Sequence, residues 1–214
     1  MQLIRNVSRT GIDSPSVFCG VEGQSRRRFL RGTLAGGAVL SGAAFIGARQ
    51  AQSQPSPAQD RKILNFALLL ESLQAAFYRE ALARDLLRGE LREFAQTVGA
   101  NEEEHVALLR RSLGRGARPR PTFRFDQVLR SPDDFVRSAM TLEDAGVAAY
   151  NGQAANLTKE ALLPALRMVS VEGRHAAWIR DIAGEDPAPF AADVGLSATA
   201  VTSILRKAQL LRIR

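Results

Sequence analysis

The chain contains two histidines, and each stands three residues after a glutamate: His105 after Glu102, and His175 after Glu172. On a helix, a spacing of three puts both side chains on one face. Each pair therefore aims a carboxylate and an imidazole at the same point. Two further glutamates interrupt apolar stripes. Glu71 falls among Leu64, Ala67, Leu68, Ala75, Tyr78 and Leu82, and Glu143 falls among Val136, Ala139, Met140 and Tyr150. A carboxylate on a core-facing stripe must be protonated or neutralised by a cation, because burying its bare charge costs far too much. Four carboxylates and two imidazoles form an oxygen-rich donor set that suits iron or manganese better than zinc. Two divalent cations would cancel the four negative charges. The expected metal ligands are therefore Glu71, Glu102, His105, Glu143, Glu172 and His175. Tyr78 and Tyr150 each follow a stripe glutamate by seven residues, two turns along the same face. They are placed to hydrogen-bond a ligand carboxylate or to pass an electron; an ordinary bundle tyrosine with a local partner is the equal alternative. Gln74, Asn101 and Asp144 are weaker candidates for supporting the ligands, whereas Glu80, Glu103 and Glu104 suit a solvated face and Trp178 suits the core.

Four helices have to bring these six side chains together. Alanine and leucine dominate the chain, and long stretches avoid glycine and proline. Apolar periodicity of three and four predicts a first helix from Asp60 to about Arg88 and a second from about Leu91 to Leu113. Gly114, Gly116, Pro119 and Pro121 open a long connection to about Ser131, where Ser-Pro-Asp-Asp has the chemistry of a helix start. The third helix runs to about Asn156 and the fourth from about Thr158 to Ala183, with Pro164 either starting or bending it. A last segment, Ser197 to Arg212, is a candidate for a short fifth helix. Two short loops and one long crossover predict an all-α fold of two antiparallel helix hairpins.

The halves also repeat. A shift of 72 carries Glu71 and Tyr78 onto Glu143 and Tyr150, and a shift of 70 carries Glu102 and His105 onto Glu172 and His175. In each hairpin the two carboxylates lie about 15 residues, roughly 22 Å, from the turn. All four can thus share one level.

The net charge of +7 could suggest a nucleic-acid partner, but its location argues otherwise. Seven arginines against Asp13 and Glu22 fall in residues 1–53, while the remainder is nearly balanced. The tract Ser25-Arg26-Arg27-Arg28-Phe29-Leu30-Arg31 precedes an apolar, Gly- and Ala-rich run from Gly32 to Ala48, which is the layout of a secretory signal. Its paired arginines with Phe-Leu behind them resemble the twin-arginine type of bacterial signal. That likeness implies a periplasmic or otherwise exported protein, handled already folded by the twin-arginine export machinery, with the membrane touched only through this segment. The alternative is an anchor that is never removed. Cys19, the one cysteine, lies in the same leader, so no disulfide or thiolate metal site is available beyond it. The expected organisation is a signal peptide at 1–53, a linker at 54–59, a helical bundle at 60–190 and a C-terminal segment at 191–214.

Several motifs occur in order: Asn65-Phe66-Ala67-Leu68-Leu69-Leu70-Glu71, Ala76-Phe77-Tyr78, Asn101-Glu102-Glu103-Glu104-His105-Val106, Leu142-Glu143-Asp144-Ala145-Gly146-Val147-Ala148-Ala149-Tyr150 and Val171-Glu172-Gly173-Arg174-His175-Ala176-Ala177-Trp178. Together, from about Ile63 to Phe190, they resemble the bacterial and plant ferritin-like family that includes desiccation-related proteins. The resemblance implies a ferritin-like antiparallel four-helix bundle, with the long crossover between helices 2 and 3 and a short C-terminal helix. It also implies a centre of two iron (or manganese) ions. In that likeness Glu102 and Glu172 bridge the metals, Glu71 with His105 and Glu143 with His175 are terminal, and Gln74 stands where many members have a second acid, which argues against an extra metal site. Oxidation of Fe(II), or scavenging of oxygen or peroxide in iron or stress homeostasis, is the expected activity. A non-catalytic metal-binding stress protein and a manganese-catalase-like enzyme are the alternatives, and homo-oligomerisation stays open. Small side chains at Ala51 and Ser53 place signal cleavage after Ser53, so N-terminal sequencing of the exported protein should start at Gln54; a start at Met1 would mean a retained anchor.

Overall fold

In a computed structural model of the chain, residues 54–213 are described. The expected signal segment and its cleavage point lie outside them. The described part is built from five α-helices: α1 (Pro57–Ala83), α2 (Gly89–Leu113), α3 (Pro132–Gln153), α4 (Lys159–Ala183) and α5 (Ala198–Lys207).

Local chemistry sets the helix ends. Ser56 caps α1 by accepting from the Gln59 N–H (3.3 Å), with Pro57 in the first turn, where its missing N–H costs nothing. The expected linker at 54–59 is accordingly cut short, its second half forming the first turn of α1. Ser131 caps α3 in the same way, accepting from the Asp134 N–H at 3.1 Å. Thr158, which precedes α4, has no such bond of its own side chain to the helix. Instead the Asp60 carboxylate of α1 accepts from the Thr158 N–H (2.9 Å) and hydroxyl (2.6 Å), placing negative charge at the positive end of α4. Pro164 neither starts nor breaks α4, which runs through it. Gly184 ends that helix in the left-handed region (φ +74°), where a side chain would be strained. The fifth helix stops at Lys207, short of the expected Arg212, because Gln209 turns left-handed (φ +60°) and leads the chain to Phe123 and Arg124.

The crossover between α2 and α3 runs the length of the bundle. At its start the buried Asn65 amide of α1 donates to Gly116 O (2.9 Å) and accepts from the Arg118 N–H (2.8 Å). At its end Arg84, just beyond α1, donates to Leu129 O (3.0 Å). These ties mark opposite ends of α1, so α3 runs antiparallel to α1 and the two hairpins are joined as the sequence predicts. Phe123, Phe125, Val128 and Leu129 of the crossover enter the core. The tail crosses the same segment, with the Arg124 N–H donating to Arg212 O (3.0 Å) and a bridge pairing Phe123 with Ile213.

The apolar core is divided in two. One cluster gathers Phe77, Phe94, Phe135, Leu142 and Ile179 with the crossover and α5; the other gathers Leu68, Val106, Leu109, Ala161 and Met168. Between them, at the level of residues 71, 102, 143 and 172, lies a polar layer. Among the described residues no helix is long and apolar enough to cross a membrane, in keeping with this split interior.

Phe77 anchors the larger cluster, stacked on Phe135 (5.4 Å between ring centres) and edge-on to Tyr78 and Phe125. It is fully buried. Phe77→Ala should lower the unfolding free energy by about 3–5 kcal/mol, read from urea denaturation; a loss under 1 kcal/mol would mean that this core does not pack as described.

Candidate metal centre

Each of the four helices delivers part of the polar layer, and each does so from a core-facing position. Glu71 comes from α1, Glu102 and His105 from α2, Glu143 from α3, and Glu172 and His175 from α4. All four glutamates are 0% exposed, and both histidines are buried. The imidazole centres lie 6.4 Å apart.

The six side chains form two groups that share members. Glu71, Glu102, His105 and Glu172 offer ligand atoms within 4.8 Å of one another, and so do Glu102, Glu143, Glu172 and His175. Glu102 and Glu172 therefore belong to both groups, and the remaining four residues belong to one each. In the first group His105 Nδ1 stands 3.1 Å from Glu71 Oε2, 3.3 Å from Glu102 Oε2 and 3.2 Å from Glu172 Oε1. In the second, His175 Nδ1 stands 3.1 Å from Glu102 Oε1 and 3.3 Å from Glu143 Oε2. Donor atoms that surround one small cation at about 2.1 Å are themselves about 3.0–3.4 Å apart, so the spacing fits.

A second observation bears on the fit. Glu102 Oε1, Glu143 Oε2, Glu172 Oε1 and His175 Nδ1 are buried without a hydrogen bond. His175 Nδ1 lies near two of these oxygens, yet off the line a hydrogen bond needs. Bare acceptors in a dry interior are expensive, and a cation is the partner that would satisfy several at once. These buried groups could hold metal ions.

The protonation balance agrees. Burial first, and the neighbouring Glu102 charge second, push the Glu71 carboxyl up to about 8; burial and then the Glu71 charge push Glu172 up to about 7. Burial alone would depress both histidines. The facing carboxylates outweigh it, Glu102 foremost, raising His105 to about 12 and His175 to about 10. The layer thus holds positive charge tightly, as protons where nothing better is present.

Both tyrosines reach the layer reciprocally. The Tyr78 hydroxyl of α1 donates to Glu143 Oε1 of α3, and the Tyr150 hydroxyl of α3 donates to Glu71 Oε1 of α1 (2.6 Å). Glu71 and Glu143 thereby each engage one oxygen with a tyrosine and leave the other within the layer. Burial, followed by these carboxylates, lifts both hydroxyls well above 10, so they remain donors at any ordinary pH. Gln74 donates to Glu143 Oε1 (3.3 Å) and to Glu172 Oε2 (3.2 Å), and the Asn101 amide lies 3.0 Å from His175 Nε2.

Asp144 does not join them. It pairs with the partly buried Arg180 across the α3–α4 hairpin, since one step along a helix from Glu143 turns it 100° away. Glu103 meets Arg79 and Arg120 at the surface, and Glu80 meets Arg84, as solvated-face residues do. Trp178 sits edge-on to Phe94 (5.2 Å) and donates to Glu90 Oε1 (3.2 Å), a packing role.

Gly146 escaped the sequence reading. A Cβ there would lie 2.5 Å from Glu172 Oε2, so only glycine lets α3 approach that carboxylate. A glycine inside a helix costs about 1 kcal/mol relative to alanine, and that cost was the available signal.

The family described as "Ferritin-like domain" matches residues 59–185, the span that contains all six side chains. No protein of curated function matches the chain.

A divalent cation must displace protons to bind here, because imidazole and carboxylate ligate only when deprotonated. With Glu71 near 8 and both histidines higher, binding at pH 7 should release protons and should strengthen as pH rises. An indicator dye in weak buffer would show acidification on addition of Mn(II). Unchanged pH with stoichiometric binding would contradict these protonation states.

Proposed function

Because the chain belongs to the ferritin-like domain family, we propose that it is an exported protein holding two iron or manganese ions, which oxidises Fe(II) or removes oxygen or peroxide. The observation that carries the reading is the shared pair of ligands: Glu102 and Glu172 belong to both four-residue groups, so two cations would sit side by side, bridged by those two carboxylates. Glu71 with His105, and Glu143 with His175, would complete the two positions from either side.

An adjacent metal pair, when bound, supplies two one-electron changes and Lewis acidity at one place. What the protein contributes can be derived from its own side chains. Six ligands from four packed helices fix the spacing, so little reorganisation is needed. Two apolar clusters close the layer above and below, keeping bulk water from most of the site. Tyr78 and Tyr150 hold Glu143 and Glu71 by one oxygen each, which would leave the other oxygen of each to hold a cation. Four carboxylates, hard anionic donors, favour the higher oxidation state of a bound iron. Export through the twin-arginine route, which carries folded cargo, suits a protein loaded with metal beforehand; the leader that supports this is the arginine tract at 26–28.

Loss of a bridging carboxylate should be the most damaging single change. Glu102→Ala is expected to bind at most one metal per chain, to lose iron-dependent oxygen or peroxide consumption, and to show a lower melting temperature than the loaded parent. Metal content by elemental analysis and oxygen-electrode traces would check this. Parent protein that binds two metals and turns over no faster than Glu102→Ala would reject the oxidase reading and leave a metal-stabilised stress protein.

A further inference from the structure

The repeat that builds the centre is broken at two positions that touch it. A shift of 72 carries Gln74 onto Gly146, and a shift of 70 carries Asn101 onto Val171. Both amides serve the same side. Asn101 lies against His175 Nε2, and Gln74 donates to Glu143 Oε1 and Glu172 Oε2, with Tyr78 adding a second donor to Glu143. On the other side Tyr150 donates to Glu71, and among the described residues no side chain hydrogen-bonds His105 Nε2.

The ligand atoms differ to match. His105 Nδ1 already shares hydrogen bonds with Glu71 (3.1 Å) and Glu102 (3.3 Å). His175 Nδ1, Glu102 Oε1 and Glu143 Oε2 make none, although they face one another; on the His105 side only the shared Glu172 Oε1, 3.2 Å from His105 Nδ1, is bare. A cation arriving at the His105 side must break bonds among its own ligands. One arriving at the His175 side finds ligands held from behind and bare in front.

We propose that the two metal positions are unequal, and that the position made by Glu102, Glu143, Glu172 and His175 fills first, with Asn101 and Gln74 as its positioning residues. This rests on the two-metal reading above. A metal on Nδ1 leaves the imidazole proton on Nε2, so Asn101 meets it with its amide oxygen, a half-turn of the side chain from the nitrogen-facing placement. Removing such a partner lowers metal affinity about 10–100-fold.

The test is a titration of chelator-stripped full-length protein with Mn(II), followed by calorimetry and by electron paramagnetic resonance. Wild type should take up two Mn(II) in steps at least tenfold apart, the first giving an uncoupled six-line signal and the second a spin-coupled one. Asn101→Leu and Gln74→Leu should weaken the first step and draw the two together. Asn101→Asp, which can still accept from Nε2–H, should restore the tight step, a rescue that a merely structural residue would not give. His105→Ala should keep one tight site, and His175→Ala should lose it. Should any variant fail to keep the helical circular dichroism of wild type, the wild-type isotherm with Asn101→Asp and His105→Ala decides. Two equal steps, or a tight site lost in His105→Ala and kept in His175→Ala, would overturn the ordering while leaving a two-metal centre intact. Uptake of fewer than two Mn(II) by wild type would sink the two-metal reading itself.

Discussion

Four carboxylates share one dry layer of this bundle, and the rest of the molecule is arranged around the need to answer their charge. At the low effective dielectric of an interior, charges a few ångströms apart repel strongly and each is costly to bury alone. The chain brings only two imidazoles to the layer, too few to balance four anions without help. Two tyrosines and a glutamine therefore donate to these carboxylates, and an asparagine holds one of the imidazoles from behind. The apolar clusters above and below supply the folding energy that permits so costly a layer.

Reading the layer as a site depended on joint pattern rather than on any single residue. A glutamate on a helix is usually solvated, and Glu103 shows it, half-exposed beside Arg79 although it adjoins Glu102. The spacing of three before each histidine, together with the internal repeat, picked out Glu102 and Glu172. The interrupted apolar stripes picked out Glu71 and Glu143. The level of all four followed from counting residues to the turns, because helices rise by a fixed amount. The structure brings all six together, and the hydroxyls of both tyrosines with them.

What the sequence hid was decided by tertiary context. Asp144 shares a motif with Glu143 but turns to Arg180, a distinction that periodicity hints at and only packing decides. The capping of α4 by Asp60 joins residues 98 positions apart, with no local signature. The second half of the expected linker at 54–59 is the first turn of α1, because Ser56 and Pro57 together are a helix start. The candidate fifth helix to Arg212 ends at Lys207 instead, and the left-handed Gln209 beyond it leads to a contact with the crossover.

The place where Gln74 faces Gly146 has a meaning for how such a molecule could be built. A Cβ on Gly146 would stand 3.5 Å from the Gln74 amide and closer still to Glu172, so the seam between α1 and α3 has room for one long side chain only. Two identical hairpins associating as a symmetric pair would have to carry the same residue on both sides, either crowding that seam or leaving it bare. Joining the hairpins in one polypeptide lifts that restriction: once covalently linked, each half is free to diverge from its twin, and an enclosed amide can be placed where symmetry would forbid it.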